Sequence, residues 1–277
     1  MLDHTFVHIS GIGRQSEALF WRAGLPSPSA VGLLVPSCVP AAKARLVMAH
    51  QQNNPAPAHR SPHYWASRLP GRELWRLFPH FRSTTAYLDI ETTGSRHAAN
   101  SITTIALYDG TRLFTFVRGR NLADFARVIS QYTVLVTYNG SRFDLPIIAT
   151  DLGLRLDQVH LDLCPLLRHL GFSGGLKGCE KKLGINRGEL AGLDGAWAVI
   201  LWREYRRTGN PRALETLLAY NLADVINLEP LLIEVYNRNL AATPFAEELR
   251  IPPPTPPPLP CRVDPQLIQQ LRCRFFG

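Results

Sequence analysis

The sequence predicts an α/β protein with a mixed five-stranded sheet flanked by helices and a small, mainly helical N-terminal region. β-rich and helical runs alternate between about residues 86 and 240. Two of the β-rich runs are joined by Asp109-Gly110, a strong hairpin signal that makes those strands antiparallel. The remaining strands alternate with helices, which favours parallel neighbours, so the sheet is predicted to be mixed.

The strands and helices of the sheet region follow from periodicity and from residues typical of their ends. AYLDI is a short apolar strand that ends in carboxylates, and DLPIIATDLG begins with an acid, as helices often do. Strands are predicted at 86–90, within 101–117 on both sides of the hairpin, at 133–139 and at 159–163. Helices are predicted at 121–132, 144–153 and 211–240, the last interrupted at Pro230.

Changes in composition divide the chain into three segments. Residues 51–63 have no periodicity and are typical of a linker, and the character of the sequence changes near Leu74. Residues 251–260 form a polyproline segment, which is extended and cannot build a core. We therefore predict an N-terminal region with linker at 1–75, an α/β domain at 76–245 and a proline-rich tail with a short helix at 246–277.

The composition excludes several classes of protein. Of 277 residues, 45% are hydrophobic and 19% are charged, which excludes wholesale disorder and collagen-like structure. No apolar run reaches about 18 residues, so we expect no membrane-spanning helix and no membrane partner. The N-terminus lacks the basic start and apolar core of a secretory signal. Five scattered cysteines without a CxxC pair argue against a disulfide framework or zinc module and favour a cytoplasmic location.

The basic charge is consistent with a polyanionic partner such as nucleic acid. The net charge is +8, and only four of the 30 Lys and Arg residues are lysines. Arginine binds phosphate oxygens in pairs, but a GC-rich genome that encodes its cations as arginine explains the bias equally well. Residues 1–80 carry a net charge of +5, so the basic charge lies mainly away from the acidic motifs.

Acidic side chains stand at the ends of three predicted elements. Asp89 and Glu91 are two apart in a strand and point the same way, so they repel each other unless a cation neutralises them. Mg²⁺ or Mn²⁺ is the natural partner of such all-oxygen ligands. Asp144 begins a helix, and Tyr220 and Asp224 share a helix face four residues apart. Taken singly, Asp144 is better explained as a helix cap, and Asp224 as part of an amphipathic surface helix, than either is as a catalytic residue.

Together these motifs resemble those of the DEDD superfamily of 3′–5′ exonucleases, which have the ribonuclease H-like fold. The order is DxE, then N-xxx-F-D, then Y-xxx-D, and the tyrosine places the resemblance in the DEDDy branch with the proofreading domains of family A and B DNA polymerases. It extends from about Ala86 to Leu240. Five segments resemble the sequences of stand-alone bacterial ribonuclease H-like proteins that are predicted exonucleases. These segments are YLDIETTG, TYNGSRFDLP, HLDLCPLLRHLG, GGLKGCEKKLGI and LLAYNLADVINL.

The resemblance implies catalytic roles for Asp89, Glu91, Asp144, Tyr220 and Asp224. The four acids would ligate two divalent ions, Mg²⁺ or Mn²⁺, that activate a water and stabilise the leaving 3′-oxygen. Tyr220 would orient that water, because a phenol with a pKa of about 10 is a poor base at neutral pH. The reaction would release nucleoside 5′-monophosphates.

Four neighbouring residues are candidates for binding substrate. Thr92 and Thr93 would contact the terminal nucleotide or simply end a strand in polar residues. Asn139 would contact substrate or serve the Asn-Gly turn that follows a strand. Lys177, in a Gly-rich basic loop, would meet a phosphate or be a solvated lysine.

Near the N-terminus, HISGIG followed by RQSEALFWRAGL resembles half of a helix-hairpin-helix motif. Gly11, Ile12 and Gly13 form a Gly-hydrophobic-Gly turn, in which backbone N–H groups can bind a DNA phosphate and the central residue anchors a small core. A tight turn that caps a helical subdomain explains the same residues.

The leading hypothesis is a metal-dependent 3′–5′ exonuclease acting on single-stranded DNA, with DNA favoured over RNA by the helix-hairpin-helix-like element. Alternatives are an exoribonuclease, a non-hydrolytic nucleic-acid-binding module and an endonuclease. The four acids do not distinguish the sugars, since that discrimination lies in 2′-hydroxyl contacts. The proline-rich tail either recruits a protein or tethers the final helix.

Overall fold

The computed structural model describes residues 1–32, 35–53, 61–94 and 101–275. The chain divides into two compact units. The N-terminal unit comprises Met1–Arg82 and Ile233–Pro252, and the sheet unit comprises Ser83–Leu232 and Pro253–Gly277. Positions 54–60 of the predicted linker lie outside the described residues. The predicted segment boundaries at 75 and 245 stay a prediction.

The N-terminal unit is mainly helical, as predicted. Its helices are α1 (Arg14–Arg22), α2 (Ala41–Asn53), α3 (Pro62–Ala66) and α4 (Phe78–Phe81), with 3₁₀ turns at Leu2–His4, Pro28–Ala30 and Gly71–Leu77. Apolar side chains from these helices and their loops form one small core, which contains Phe6, Ile9, Ile12, Phe20, Leu25, Val31, Val39, Ala44 and Val47.

A buried ion network holds the start of this unit to its 3₁₀ turn. The side chains of Glu17 and Arg76 are 1% and 2% exposed and lie 2.7 Å apart, from Oε2 to Nη2. Glu17 Oε1 also accepts hydrogen bonds from the Phe6 N–H at 2.7 Å and the Thr5 hydroxyl at 3.1 Å. Arg76 Nε donates to Glu73 at 3.0 Å. Each charge in the network therefore has a partner, as burial requires.

The sheet unit contains the predicted mixed five-stranded sheet. The strand order is β3-β2-β1-β4-β5, with β1 central. β1 and β2 are antiparallel, as are β2 and β3, whereas β1, β4 and β5 are parallel. The strands are β1 (Thr85–Thr92), β2 (Ile102–Tyr108), β3 (Leu113–Val117), β4 (Val134–Thr137) and β5 (Val159–Asp162). The hairpin at Asp109-Gly110 is confirmed, with Gly110 at a φ of 90°.

Seven helices follow the first three strands along the described chain. They are α5 (Phe125–Ile129), α6 (Asp144–Leu152), α7 (Leu163–His169), α8 (Gly175–Lys182), α9 (Gly195–Thr208), α10 (Pro211–Leu240) and α11 (Pro265–Phe275). On length and composition α10 is able to cross a membrane, but 89% of its most apolar stretch is buried within the protein, which is also the property of a core helix.

The predicted interruption of the long helix at Pro230 is wrong, because α10 continues through it. Proline removes one backbone hydrogen bond from a helix interior and crowds the preceding turn. The neighbouring side chains of Leu228, Leu231 and Leu232 are 1% or less exposed. We infer that their packing offsets the lost hydrogen bond and keeps the helix intact.

Two apolar cores cover the sheet unit, and β1 contributes to one of them with alternate residues. Leu88 and Ile90 pack with residues of α5 and α6, including Ile147 and Ile148. The second core unites α9, α10 and α11, and it contains Trp197, Leu201, Leu217, Leu267 and Leu271. The amphipathic stretch after the polyproline segment thus forms α11 and packs on the sheet unit. Because β1 side chains alternate, Asp89 and Glu91 project away from the first core.

The buried network of the N-terminal unit leads to a stability prediction. Replacing Glu17 by alanine leaves the Arg76 guanidinium buried with part of its compensation lost. We expect the free energy of unfolding to fall by about 3–5 kcal/mol, measured by urea denaturation.

Glu234→Ala is the matched control, because Glu234 pairs with Arg238 in the same unit while remaining 35% exposed. An exposed pair of this kind contributes about 0.5 kcal/mol or less. If both variants lose the same free energy of unfolding, the buried network contributes no more to stability than an exposed ion pair.

Candidate active site

Three carboxylates meet at the end of β1. One oxygen from each of Asp89, Glu91 and Asp224 lies within 4.8 Å of the others. Asp89 and Glu91 share a face of β1, and Asp224 reaches them from α10. Glu91 is 9% exposed and Asp224 is 5% exposed, whereas Asp89 is partly exposed. The structure therefore brings together residues more than 130 positions apart in the sequence.

Asp144 joins the same end of the strand from α6. It is the first residue of that helix, is 2% exposed, and its Oδ1 accepts a hydrogen bond from the Ile90 N–H at 3.1 Å. The pairing of β1 with β4 ends at Tyr87, so the Ile90 N–H is available to this carboxylate. Asp144 lies beside Asp89 closely enough to raise the pKa of Asp89.

The turn after β4 sets the position of Asp144. Asn139 adopts a left-handed backbone with a φ of 63°, and its N–H donates to Asp162 Oδ1 at 2.7 Å. Ser141 donates to the other Asp162 oxygen through its hydroxyl at 2.6 Å. A Cβ atom at Gly140 would overlap the Thr137 side chain, so only glycine fits there. Asn139 thus serves the turn, and its predicted contact with substrate stays a prediction.

The electrostatics of the cluster favour a bound cation. Burial, followed by the neighbouring carboxylates Asp224 and Asp144, holds the pKa of Asp89 well above its usual range. Burial and then Asp224 act in the same direction on the pKa of Glu91. Burial raises the pKa of Asp144 to about 7 although the Ile90 N–H opposes the rise. Four carboxylates in this environment resist ionising together unless positive charge is supplied.

The donor set fits hard divalent cations. Every donor is a carboxylate oxygen, the type of ligand that Mg²⁺ and Mn²⁺ prefer. Asp89, Glu91 and Asp224 have oxygens close enough to share one ion, and Asp144 lies beside them. The structure is thus consistent with metal ligation by all four predicted acids.

Asn221 supports Asp89 and was not predicted. Its side-chain amide donates to Asp89 Oδ2 at 2.7 Å and its carbonyl accepts from the Thr104 hydroxyl at 2.9 Å. It is fully buried. The sequence contained a signal for it, because Asn221 precedes Asp224 by three residues and therefore shares its helix face.

Tyr220 lies beside the acids with Lys177 as its partner. The Lys177 ammonium donates a hydrogen bond to the Tyr220 hydroxyl and lies 4.3 Å from the centroid of its ring. Burial, and then the charges of Asp224, Glu91 and Asp89, raise the pKa of Tyr220 far above its ordinary value. Tyr220 is therefore a neutral phenol at physiological pH. Lys177, predicted to meet a phosphate, is placed against this phenol.

Arg187 is a second cation that contacts the acidic cluster, and it is also paired with Glu180. Neither residue was predicted from the sequence. Arg187 Nη1 donates to both Glu180 oxygens, at 2.9 and 2.7 Å, and Nη2 donates to Asp224 Oδ1. Asn227 donates to Glu180 Oε1 at 2.8 Å. Arg187 follows α8 in an irregular segment, and no motif or periodicity marks it in the sequence.

The remaining predicted residues lie near the end of β1 or in the N-terminal unit. Thr92 ends β1 and its hydroxyl accepts from the Gly94 N–H at 3.3 Å, while the Thr93 N–H donates to the Ser101 carbonyl at 2.8 Å. Their predicted substrate contacts are not tested by these bonds.

In the N-terminal unit, Ile12 is 5% exposed and belongs to the small core, as predicted. Gly11 has a φ of 82°, and its carbonyl accepts from Lys43 Nζ at 2.7 Å. Gly13 caps the start of α1 without a side-chain hydrogen bond. The predicted contact of this turn with a DNA backbone stays a prediction.

A family model of the RNase_H superfamily matches residues 86–236. Among solved structures, the chain is similar to the family B DNA polymerase from the hyperthermophilic archaeon Pyrobaculum calidifontis, with a TM-score of 0.42 and 20% identity. That similarity covers 59% of this chain and 26% of the polymerase, so the chain spans about a quarter of the polymerase. No curated protein sequence matches the chain.

The family model covers more than half of the chain and includes Asp89, Glu91, Asp144, Tyr220 and Asp224. A nuclease fold of this kind implies a nucleic acid substrate and divalent metal ions, and the acidic cluster fits the metal ions. The chain belongs to the RNase_H superfamily.

Proposed function

We propose that this protein is a metal-dependent 3′–5′ exonuclease that hydrolyses the phosphodiester bonds of single-stranded DNA. The observation that carries the proposal is the meeting of Asp89, Glu91 and Asp224 around one point, with Asp144 and Tyr220 beside them. Superfamily membership supports a nuclease. The direction of cleavage and the DEDDy assignment are inferred from the resemblance of the sequence motifs.

The four acids would hold two divalent ions, Mg²⁺ or Mn²⁺. When bound, such ions lower the pKa of an attacking water and offset the negative charge that develops on the leaving oxygen. The carboxylates thus supply the negative charge that gathers these cations at the end of β1. Asn221 keeps Asp89 oriented for this role through its amide hydrogen bond.

Tyr220 is suited to orienting the water rather than deprotonating it. Its oxygen already accepts a hydrogen bond from Lys177, and its raised pKa keeps the phenolic proton in place. The hydroxyl therefore has its own proton to donate to the water or to a phosphate oxygen. Attack by water on the phosphorus would break the bond to the 3′-oxygen and release a nucleoside 5′-monophosphate.

The N-terminal unit offers a turn that could hold a phosphate of the nucleic acid, and its helix-hairpin-helix-like sequence is the reason that DNA is preferred to RNA in this proposal. The first backbone N–H groups of α1 have no side-chain cap at Gly13, and a Cβ at this position would meet no atom within 4 Å. Backbone N–H groups at an open helix start bind phosphate without reading sequence. Lys43, which the sequence analysis did not single out, adds a positive charge at the Gly11 carbonyl.

Replacing Asp89 by asparagine should strongly slow the progressive shortening of a nucleic acid from its 3′ end. The change keeps the shape of the side chain but removes a charge that the metal ions require, so we expect more than about a 100-fold loss of rate. The measurement is a cleavage ladder on end-labelled single-stranded DNA and RNA of one sequence, with Mg²⁺ or Mn²⁺ and with an EDTA lane.

Asp124→Asn serves as the control, because Asp124 is 57% exposed in the same unit. A faster RNA ladder would make the protein an exoribonuclease, and cuts within a circular single strand would make it an endonuclease. Metal-dependent binding of nucleic acid without any cleavage would make the protein a non-hydrolytic nucleic-acid-binding module.

Tyr220→Phe should lower the cleavage rate about 100-fold by removing the proton donor that orients the water, while Mn²⁺ affinity stays unchanged. Tyr132→Phe is the control, since Tyr132 is 6% exposed and its hydroxyl donates to Asp109 at 2.9 Å. Single-turnover rates and calorimetric Mn²⁺ titrations measure the two effects. Equal rates for the two variants would remove Tyr220 from the mechanism.

Lys43→Gln should weaken DNA binding if the turn at Gly11–Gly13 holds the backbone. In an Asp89→Asn background, which prevents cleavage, we expect the slope of log Kd against log salt to fall by about 0.7–0.9, the contribution of one phosphate contact. Fluorescence anisotropy at several salt concentrations measures the slope. Lys181→Gln, at an exposed position of α8, is the control. An unchanged slope for Lys43→Gln would argue against the hypothesis that the turn at Gly11–Gly13 binds a DNA backbone as a helix-hairpin-helix does.

A further inference from the structure

Arg187 is a buried cation that contacts a metal-binding candidate. Its side chain is 7% exposed, and its guanidinium bridges Glu180 and Asp224. The guanidinium places a positive charge directly beside Asp224 Oδ1, and a metal ion bound to the same carboxylate would be repelled by that charge. Asp224 therefore has two competing partners, Arg187 and the ion that the cluster is suited to bind.

The Glu180 end of this bridge is the fixed one. Glu180 is 1% exposed and contacts Nη1 with both of its oxygens. Asn227 on α10 holds one of these oxygens with a hydrogen bond of 2.8 Å. Glu180 has no role in the acidic cluster, so it neutralises Arg187 whether or not a metal ion is present. Only the Asp224 end is exchangeable.

The Arg187 guanidinium also has one N–H group without a hydrogen bond to the described residues. Arg187 Nε is buried and has no hydrogen-bond acceptor among the described residues. In the N-terminal unit the buried guanidinium of Arg76 uses Nε, Nη1 and Nη2, all on protein acceptors. An unpaired buried N–H is unfavourable, so the contrast indicates that Arg187 Nε is suited to an acceptor that the described residues do not supply.

The surroundings of Arg187 favour an anionic acceptor. The Arg187 guanidinium carbon and the Lys177 ammonium lie 5.6 and 4.3 Å from the ring centroid of Tyr220. Two cations thus flank the phenol that we place at the attacking water. The oxygens of a phosphodiester are the natural acceptors for a guanidinium, because they accept charge-assisted hydrogen bonds.

We propose that Arg187 exchanges partners during substrate binding. It holds the Asp224 carboxylate while the metal site is empty, and it passes to a non-bridging oxygen of the substrate phosphate when Asp224 ligates a metal ion. Glu180 holds the guanidinium in place through both states. The inference rests on the proposed function, since it assumes that Asp224 is a metal ligand.

The exchange couples metal binding to nucleotide binding. Without a nucleotide, an ion must displace Arg187 from Asp224, and the guanidinium is left beside a new positive charge. With a nucleotide present, the phosphate accepts the displaced guanidinium. Metal and nucleotide should therefore each raise the affinity for the other by the same factor.

The test is a calorimetric titration of the full chain with Mn²⁺, alone and with saturating thymidine 5′-monophosphate, the product of the proposed reaction. For the unmodified protein we expect the nucleotide to lower the Mn²⁺ Kd about tenfold. In Arg187→Gln we expect the Kd for Mn²⁺ alone to fall about tenfold, because the competitor is gone, and the effect of the nucleotide to shrink towards none. Arg127→Gln, 73% exposed on α5, should behave as the unmodified protein.

A second variant distinguishes a change in metal binding from a loss of folding. Arg187→Gln leaves Glu180 buried without its cation, so the double variant Glu180→Gln/Arg187→Gln keeps the site neutral and should show the same tighter Mn²⁺ binding. Weaker or unchanged Mn²⁺ binding in the folded double variant would overturn the exchange and make Arg187 a structural support of Asp224. If the unmodified protein binds no Mn²⁺ with or without the nucleotide, the proposed metal site itself fails together with the exchange.

Discussion

Repulsion among buried carboxylates at the end of β1 is the constraint that organises the sheet unit. Burial raises the pKa of Asp89, Glu91, Asp144 and Asp224, and neighbouring carboxylates add to the rise for the first three. Such a cluster persists only if the rest of the fold is stable enough to keep it together. The apolar cores on the two sides of the sheet supply that stability, and hydrogen bonds from the Ile90 N–H and the Asn221 amide orient two of the acids.

The sheet topology explains why the acids meet at this place. β1 is central, and its end extends past the pairing with β4, which stops at Tyr87. Beyond Tyr87 the edge of β1 that faces β4 is not paired with that strand, and Asp144 at the start of α6 lies against it. From the other side, α10 carries Tyr220, Asn221 and Asp224 on neighbouring positions of a single helix turn. A long, largely buried helix is a rigid support for such a set.

The two buried arginine networks of the protein differ in a way that indicates different roles. Arg76 has all its nitrogens hydrogen-bonded to protein acceptors, which is typical of a permanent structural pair. Arg187 shares one carboxylate with the proposed metal site and keeps an unpaired Nε. Together with Lys177, it places positive charge beside Tyr220 and next to Asp224. Cations adjacent to the acids are what the proposed function requires, because a phosphodiester would then have positively charged side chains to accept hydrogen bonds from.

The sequence by itself determined the strands, the hairpin and the presence of the long helix, because these depend on local periodicity. It also predicted the four acids with Tyr220, through the resemblance of short motifs to a known family. DxE follows from the alternation of a strand, and Y-xxx-D follows from the period of a helix. Only the tertiary structure decided that Lys177 contacts Tyr220 and that Arg187 contacts Asp224. Arg187 and Asp224 are 37 positions apart, and the contact depends on how the segment after α8 packs against α10. Pro230 shows the same limit, since packing energy from distant residues overrides a local signal for a helix break.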